Sequence, residues 1–228
     1  MRERPIIFSG PMVRAILDGR KTQTRRVMRP QPGPDIDSNV LRRCEPKMRG
    51  AYRYIGTDDG HEISIPCPYG RPGDRLWVKE KFQPLWEFAD DEIGETRDWK
   101  TGKGYKINYP ATDGVIEWWD QDKGPRTTCK PSIHMPRWAS RITLEIVSVR
   151  VQRVQEISEH DADCEGTTDH CMCEPPTVDC DGQQRCQPIL DFQRVWDSIN
   201  AAHGFAWDAN PWVWVIEFKR EAPNGLES

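Results

Sequence analysis

No stretch of this 228-residue chain comes near the roughly 18 consecutive apolar residues of a membrane-spanning helix, which excludes a spanning protein. The opening residues Met1-Arg2-Glu3-Arg4-Pro5 lead into only a short apolar stretch with no small-residue cleavage site, so no secretory leader is expected. The expected compartment is a bacterial-type cytoplasm, where disulfides are rare. There is no paired C-x-x-C, no internal repeat, and no histidine pair or carboxylate cluster of the kind a metal-dependent nuclease uses. Hydrophobic residues reach only 36% against 30% charged, so the core is modest. The length fits one large domain or two small ones.

What is present is unevenly placed. Residues 1–53 hold thirteen Lys/Arg against five Asp/Glu, whereas residues 156–186 hold nine Asp/Glu against one Arg. That separation hides behind a net charge of −4 and suggests one face that attracts phosphate and another that does not. The ten tryptophans exceed what a small core needs, and a wet Trp beside Arg is also a base-stacking platform.

The pattern predicts a first strand at Pro5-Ile6-Ile7-Phe8 and a short helix from Pro11 to Asp18, closed by a left-handed Gly19. Arg20-Lys21-Thr22-Gln23-Thr24-Arg25-Arg26 follows and reads as a basic turn. Alternation predicts a strand over 75–82 on which Glu80 shares a face with Leu76, Val78 and Phe82. Residues 83–128 are polar and Gly-rich and read as an insertion or lid. A β-branched run from Arg141 to Val154 reads as one bent strand or two. Ser158-x-x-Asp161 starts a helix that ends at Glu165-Gly166. Pro188 opens another helix, stopped by Gly204, and Trp212 to Phe218 is a closing strand. Strands with two or three short helices suggest a single α+β domain over residues 1–228, built as a small barrel with loop insertions.

The basic turn offers an amine, two hydroxyls and three guanidinium groups in one place. Arginines there suit phosphate or a developing negative charge. They and burial both push the Lys21 pKa down, which makes a neutral general base feasible, with Thr24 as the hydroxyl it activates. Glu165 sits where the helix dipole disfavours a carboxylate by roughly 0.3–1 kcal/mol, so stability alone does not account for it. Glu80, on an apolar face, needs a partner such as Lys21 or an arginine, or else reaches water at the barrel mouth. Trp138, between Arg137 and Ser140-Arg141, either stacks on a base while an arginine such as Arg141 takes phosphate, or packs under a loop.

Gly19-x-Lys21-x-x-x-x-Arg26 resembles the signature of the ASCH domain, a branch of the PUA-like superfamily of pseudo-barrels. Gly73-Asp74-x-Leu76-x-Val78, Ile157-Ser158-Glu159-x-x-Ala162 through Glu165, and Val213-x-Val215-Ile216-Glu217-Phe218-Lys219 resemble its later pieces in order. The wider layout is similar to longer ASCH proteins of phages and prophages, for which the compartment would be the bacterial host cytoplasm. Small bacterial ASCH proteins include amidohydrolases that deacetylate N4-acetylcytidine with a lysine, a threonine and a glutamate. The resemblance implies those roles for Lys21, Thr24 and Glu165, and the residue arguments above add Arg25, Arg26, Glu80, Trp138 and Arg141 around the substrate. This chain departs from the small enzymes in placing Arg25 between threonine and arginine. The implied reaction is removal of an acyl group from N4-acetylcytidine or a related modified pyrimidine nucleoside, free or in nucleic acid. Either Thr24 or water is the nucleophile, and no cofactor is required. The rival expectations are a non-catalytic RNA- or DNA-binding module and a ribonuclease.

Residues 167–187 form a Cys-rich insertion beside the expected pocket. Cys171, Cys173, Cys180 and Cys186 suit a tetrahedral structural zinc by residue type, although C-x-C, C, C is not a common ribbon spacing. Reduced thiols are the equal alternative, with disulfides disfavoured by compartment.

Overall fold

The computed structural model describes residues 1–32, 56–58, 61–63, 66–86, 98, 100–103, 105–120, 124–126, 129–167 and 187–221. The chain begins with β1 (Glu3–Ile7), α1 (Gly10–Leu17) and β2 (Gln23–Val27), then β3 (Gly56–Asp58), β4 (His61–Ile63) and β5 (Arg75–Lys79). Next come β6 (Gln83–Trp86), β7 (Tyr105–Asn108), α2 (Pro110–Asp113), β8 (Trp118–Asp120) and β9 (Gly124–Arg126). The last elements are β10 (Thr143–Arg153), α3 (Glu159–Cys164), α4 (Pro188–Asn200) and β11 (Trp212–Arg220). The fold class is α+β.

One five-stranded sheet, in the order β1-β5-β10-β11-β2, organises the molecule. Only the β1–β5 pair is parallel; β5–β10, β10–β11 and β11–β2 are antiparallel. Its place between β10 and β2 explains the near-continuous apolar run of β11. Trp212, Trp214, Ile216 and Phe218 pack with Ile6, Phe8, Leu76 and other residues in the main core. Val213 and Val215 face the opposite way, onto Val154, Ile157, Ala162, Phe192 and Trp196 beneath α3 and α4. A strand covered on both faces cannot alternate apolar with polar. Each such side chain taken fully from water contributes about 1.5–3 kcal/mol.

The sheet does not close into a barrel: β1 and β2 are its two edges. They approach each other all the same, because the Arg26 Nη2 donates to the Ile7 carbonyl at 2.6 Å. Residues 23–27, read from sequence as part of a turn, form an edge strand instead. Pairing with β11 supplies what the polar sequence Gln-Thr-Arg-Arg-Val does not advertise. The run after Arg141 is one strand, β10, bent at a register shift between Ile146 and Ser148 that leaves Val147 half exposed.

Within residues 83–128, β6 pairs with β7 and β8 with β9. This region is anchored to the rest by a third cluster of Phe82, Met135 and Ala139, with Ile107, Tyr109 and Trp138 against it. Among the described residues, no helix is long and apolar enough to cross a membrane.

Candidate active site

The link from α1 to β2 builds the site. Gly19 takes a positive φ of 78°, and the chain turns back so that the Lys21 amide donates to the Ala15 carbonyl at 3.0 Å. The Thr22 amide donates to the Cys164 carbonyl at 3.0 Å, and the Thr22 carbonyl accepts from Phe218 at 2.8 Å. The C-terminus of α3 is therefore stitched to the beginning of β2. At its other end, Ser158 caps α3 by accepting from the Asp161 amide.

Gly166 makes the close approach possible. Its φ is 67°, and a Cβ there would lie 2.8 Å from both the Ala15 and Lys21 Cβ atoms. No real side-chain carbon tolerates that distance, so only glycine lets Glu165 come down onto Lys21. The Lys21 Nζ then donates to the Glu165 carbonyl at 2.7 Å and to its carboxylate Oε2 at 2.8 Å. The amine is fully shielded from water and the carboxylate nearly so.

Arg25 completes the carboxylate's shell. One terminal nitrogen donates to Glu165 Oε1 at 3.2 Å, and the other to Asp161 Oδ2 at 2.9 Å and to Gln152 Oε1 at 3.2 Å. Arg150 reaches the same Asp161 at 3.0 Å and also donates to Gln23. A second carboxylate, Glu217, accepts from Arg150 and from Ser148. Burial pushes the Lys21 pKa below the ordinary lysine value, and Arg26 and Arg25 push the same way. The Glu165 carboxylate opposes them without winning. Asp161 is the reverse case: burial raises its pKa, but Arg25 and Arg150 together carry it below the usual carboxylate range.

Because β2 is an edge strand, four consecutive residues, Thr24 to Val27, line one side of a cavity of about 610 Å³. Glu165 and Thr167 lie in the same wall, and Ile7 and Phe8 from the end of β1 face it. The cavity thus borders both edges of the sheet. The apolar face of α4, including Phe192 and Trp196, supplies another wall. The Thr24 hydroxyl makes no hydrogen bond among the described residues. Lys21 stands behind Glu165 and is not in the wall.

The structure brings Lys21, Thr24, Glu165, Arg25 and Arg26 together. It places the other expected residues elsewhere. Glu80 is buried and takes a two-pronged contact from Arg141, at 3.0 and 3.1 Å, so Arg141 is its partner and not Lys21. Arg141 also lies 3.9 Å from the Tyr109 ring centre and donates to Thr112. Trp138 packs on Gly102, where an added Cβ would come within 2.5 Å of the indole, and beside Tyr105. None of these three lines the cavity, and neither does any described residue of 83–128. Arg25 has its terminal nitrogens committed to protein partners, so its role is to orient Glu165 and not to hold phosphate.

Cys171, Cys173, Cys180 and Cys186 lie outside the described residues. Among the described residues, Cys67, Cys129 and Cys164 are not in disulfides, and no group of three or more metal-ligating side chains is found. Sequence reading missed Asp161, Arg150, Gln152, Gly166 and Arg29. Only Asp161 and Gly166 carried a signal, as the third residue of a helix start and as that helix's stop, and both signals concern the backbone. Comparison with protein-family models, curated proteins and solved structures gives no match to this chain.

Proposed function

We propose that this protein is an amidohydrolase that removes the acyl group from N4-acetylcytidine or a related modified pyrimidine nucleoside. The supporting observation is a buried Lys21–Glu165 pair whose carboxylate shares a cavity wall with the uncommitted hydroxyl of Thr24. We read the curled sheet, its edges bridged by Arg26, as a PUA-like pseudo-barrel, in keeping with the ASCH-like motifs.

In this reaction the Thr24 oxygen attacks the acyl carbonyl carbon, and its proton passes to the Glu165 carboxylate in the cavity wall and through it to neutral Lys21 behind. A neutral amine that donates two N–H bonds to Glu165 keeps one lone pair for that proton. The lowered Lys21 pKa favours that form. The C–N4 bond breaks as N4 takes that proton back through Glu165, and cytidine leaves. Water attacks the resulting threonine ester while Glu165 accepts its proton. The ester C–O bond then breaks, and Glu165 returns the proton to Thr24, freeing the acid. Arg26 balances the negative charge on the carbonyl oxygen. Lys21, Thr24 and Glu165 complete this chemistry without a cofactor, so a zinc held by Cys171, Cys173, Cys180 and Cys186 would be structural.

A binding-only module would draw on the same arginines, but it gives no use to the base-and-carboxylate pair beside a free hydroxyl. Chromatography of N4-acetylcytidine incubated with wild type and with Lys21→Ala separates the two. Release of cytidine by the first alone supports the hydrolase. Release by neither leaves a nucleic-acid clamp, and equal release by both removes Lys21 from the mechanism.

A further inference from the structure

Three guanidinium groups line the cavity, and they are not equivalent. Arg25 is balanced by Asp161 and Glu165, and Glu165 also accepts from Lys21 behind the wall. Neither Arg26 nor Arg29 makes a close ion pair among the described residues, although the Glu165 carboxylate supports Arg26 at longer range. Arg26 spends one nitrogen on the Ile7 carbonyl and lies 5.1 Å from the Phe8 ring centre, and its Nε has no partner among the described residues.

Arg29 stands on a turn that is firmly pinned. The Gln31 side-chain nitrogen donates to the Met28 carbonyl at 2.6 Å and to the Trp212 carbonyl at 3.0 Å. Its oxygen accepts from the Trp212 amide at 2.8 Å. The Arg29 guanidinium lies 5.0 Å from the Phe205 ring centre and makes no hydrogen bond among the described residues. Thr167 adds a hydroxyl to the same cavity wall, also without a partner among the described residues.

A neutral nucleoside entering this cavity would strip water from Arg26 and Arg29 and return no negative charge, which is unfavourable. A phosphate ester would replace that water with charge-assisted hydrogen bonds in the geometry guanidinium favours. We propose that the substrate is a phosphorylated form of the acylated pyrimidine nucleoside, with its phosphate at Arg29, which leaves Arg26 to the acyl oxygen. This rests on the hydrolase reading and narrows its substrate class; the phosphate comes from either a free nucleotide or a strand of RNA.

The test compares kcat/KM for N4-acetylcytidine, its 5′-monophosphate and a trinucleotide with N4-acetylcytidine at its centre. A phosphorylated substrate should exceed the nucleoside by about tenfold or more, the worth of one hydrogen bond to a charged group. Preference for the monophosphate or for the trinucleotide identifies the source. Arg29→Ala should collapse the ratio, and Arg29→Lys, which keeps charge but loses the planar fork, should restore part of it. Equal rates on all three substrates, or a ratio unmoved by both variants, overturn the assignment.

Release from none of the substrates would end the hydrolase reading. Calorimetric titration with cytidine and cytidine 5′-monophosphate then decides the phosphate site alone. Tighter, salt-sensitive binding of the monophosphate that depends on Arg29 upholds it, and indifference to the phosphate overturns it.

Discussion

Lys21 sits where its charge is poorly supported, because burial outweighs the help of Glu165. That sets both its chemistry and its effect on stability. An unfolded lysine titrates near 10.5, and the folded value lies below it. Between the two, the unfolded chain holds a proton that the folded chain lacks, so stability rises with pH over the window that ends at the unfolded value. Lys21→Met should abolish this rise, which urea midpoints measured at several alkaline pH values will show. The same variant should lower kcat/KM for deacylation by at least about 100-fold, the usual scale for a lost general base. Its loss of stability should stay below the about 3–5 kcal/mol of a stranded buried charge, since Arg25 still holds Glu165. Thr24→Val keeps the shape of the side chain and removes only the hydroxyl. Threonine attack predicts that cytidine release falls by at least about 100-fold. Release near the wild-type rate would instead assign the attack to water activated by Glu165.

At the scale of elements, the site is the docking of α3 against the start of β2, and Gly166 is its tightest point. Gly166→Ala should strain both φ and the contacts with Ala15 and Lys21, at a cost on the order of 2–4 kcal/mol. Calorimetric melting will show the loss, and activity should fall with it as Glu165 is lifted from Lys21. Asp161 holds the same joint from the other end. Its lowered pKa contributes stability that is present above the unfolded value near 3.8 and is lost as pH falls through the folded value. Asp161→Asn should therefore be less stable at neutral pH and show a flatter acid limb in urea titrations. α1, α3, α4 and β11 were legible in the sequence because their caps and apolar periods are local. Lys21, Thr24 and Glu165 were legible through motif and resemblance. β2 was not, since an edge strand lined by polar partners shows no alternation, and its pairing with β11 joins residues far apart in the chain. Arg141 as the partner of Glu80 was hidden for the same reason, the two being brought together only by the fold.

For the whole molecule, charge is the property that sequence and structure treat most differently. The basic residues of 1–53 and the acidic residues of 156–186 look like two faces in the sequence. In the fold they meet, as Lys21 and Arg25 close on Asp161 and Glu165. At the cavity Arg26 and Arg29 are left without a close ion pair among the described residues, and Arg29 is the more open of the two, so attraction for an anion survives locally and not as a broad face. The two kinds of charge should respond differently to salt. The side chains of Lys21 and Arg25 have no exposure and Glu165 only 4%, which leaves little room for counterions. Raising NaCl from about 0.1 M to about 1 M shortens the screening length from about 10 Å to about 3 Å. The melting temperature should move by only a few degrees, roughly the effect of 1 kcal/mol in a chain of this size. Affinity for cytidine 5′-monophosphate should fall over the same range, because Arg29 is exposed to solvent. A steep loss of thermal stability with salt would mean that water reaches the Lys21–Glu165 pair, and the closed, low-dielectric site on which a neutral lysine depends would not exist.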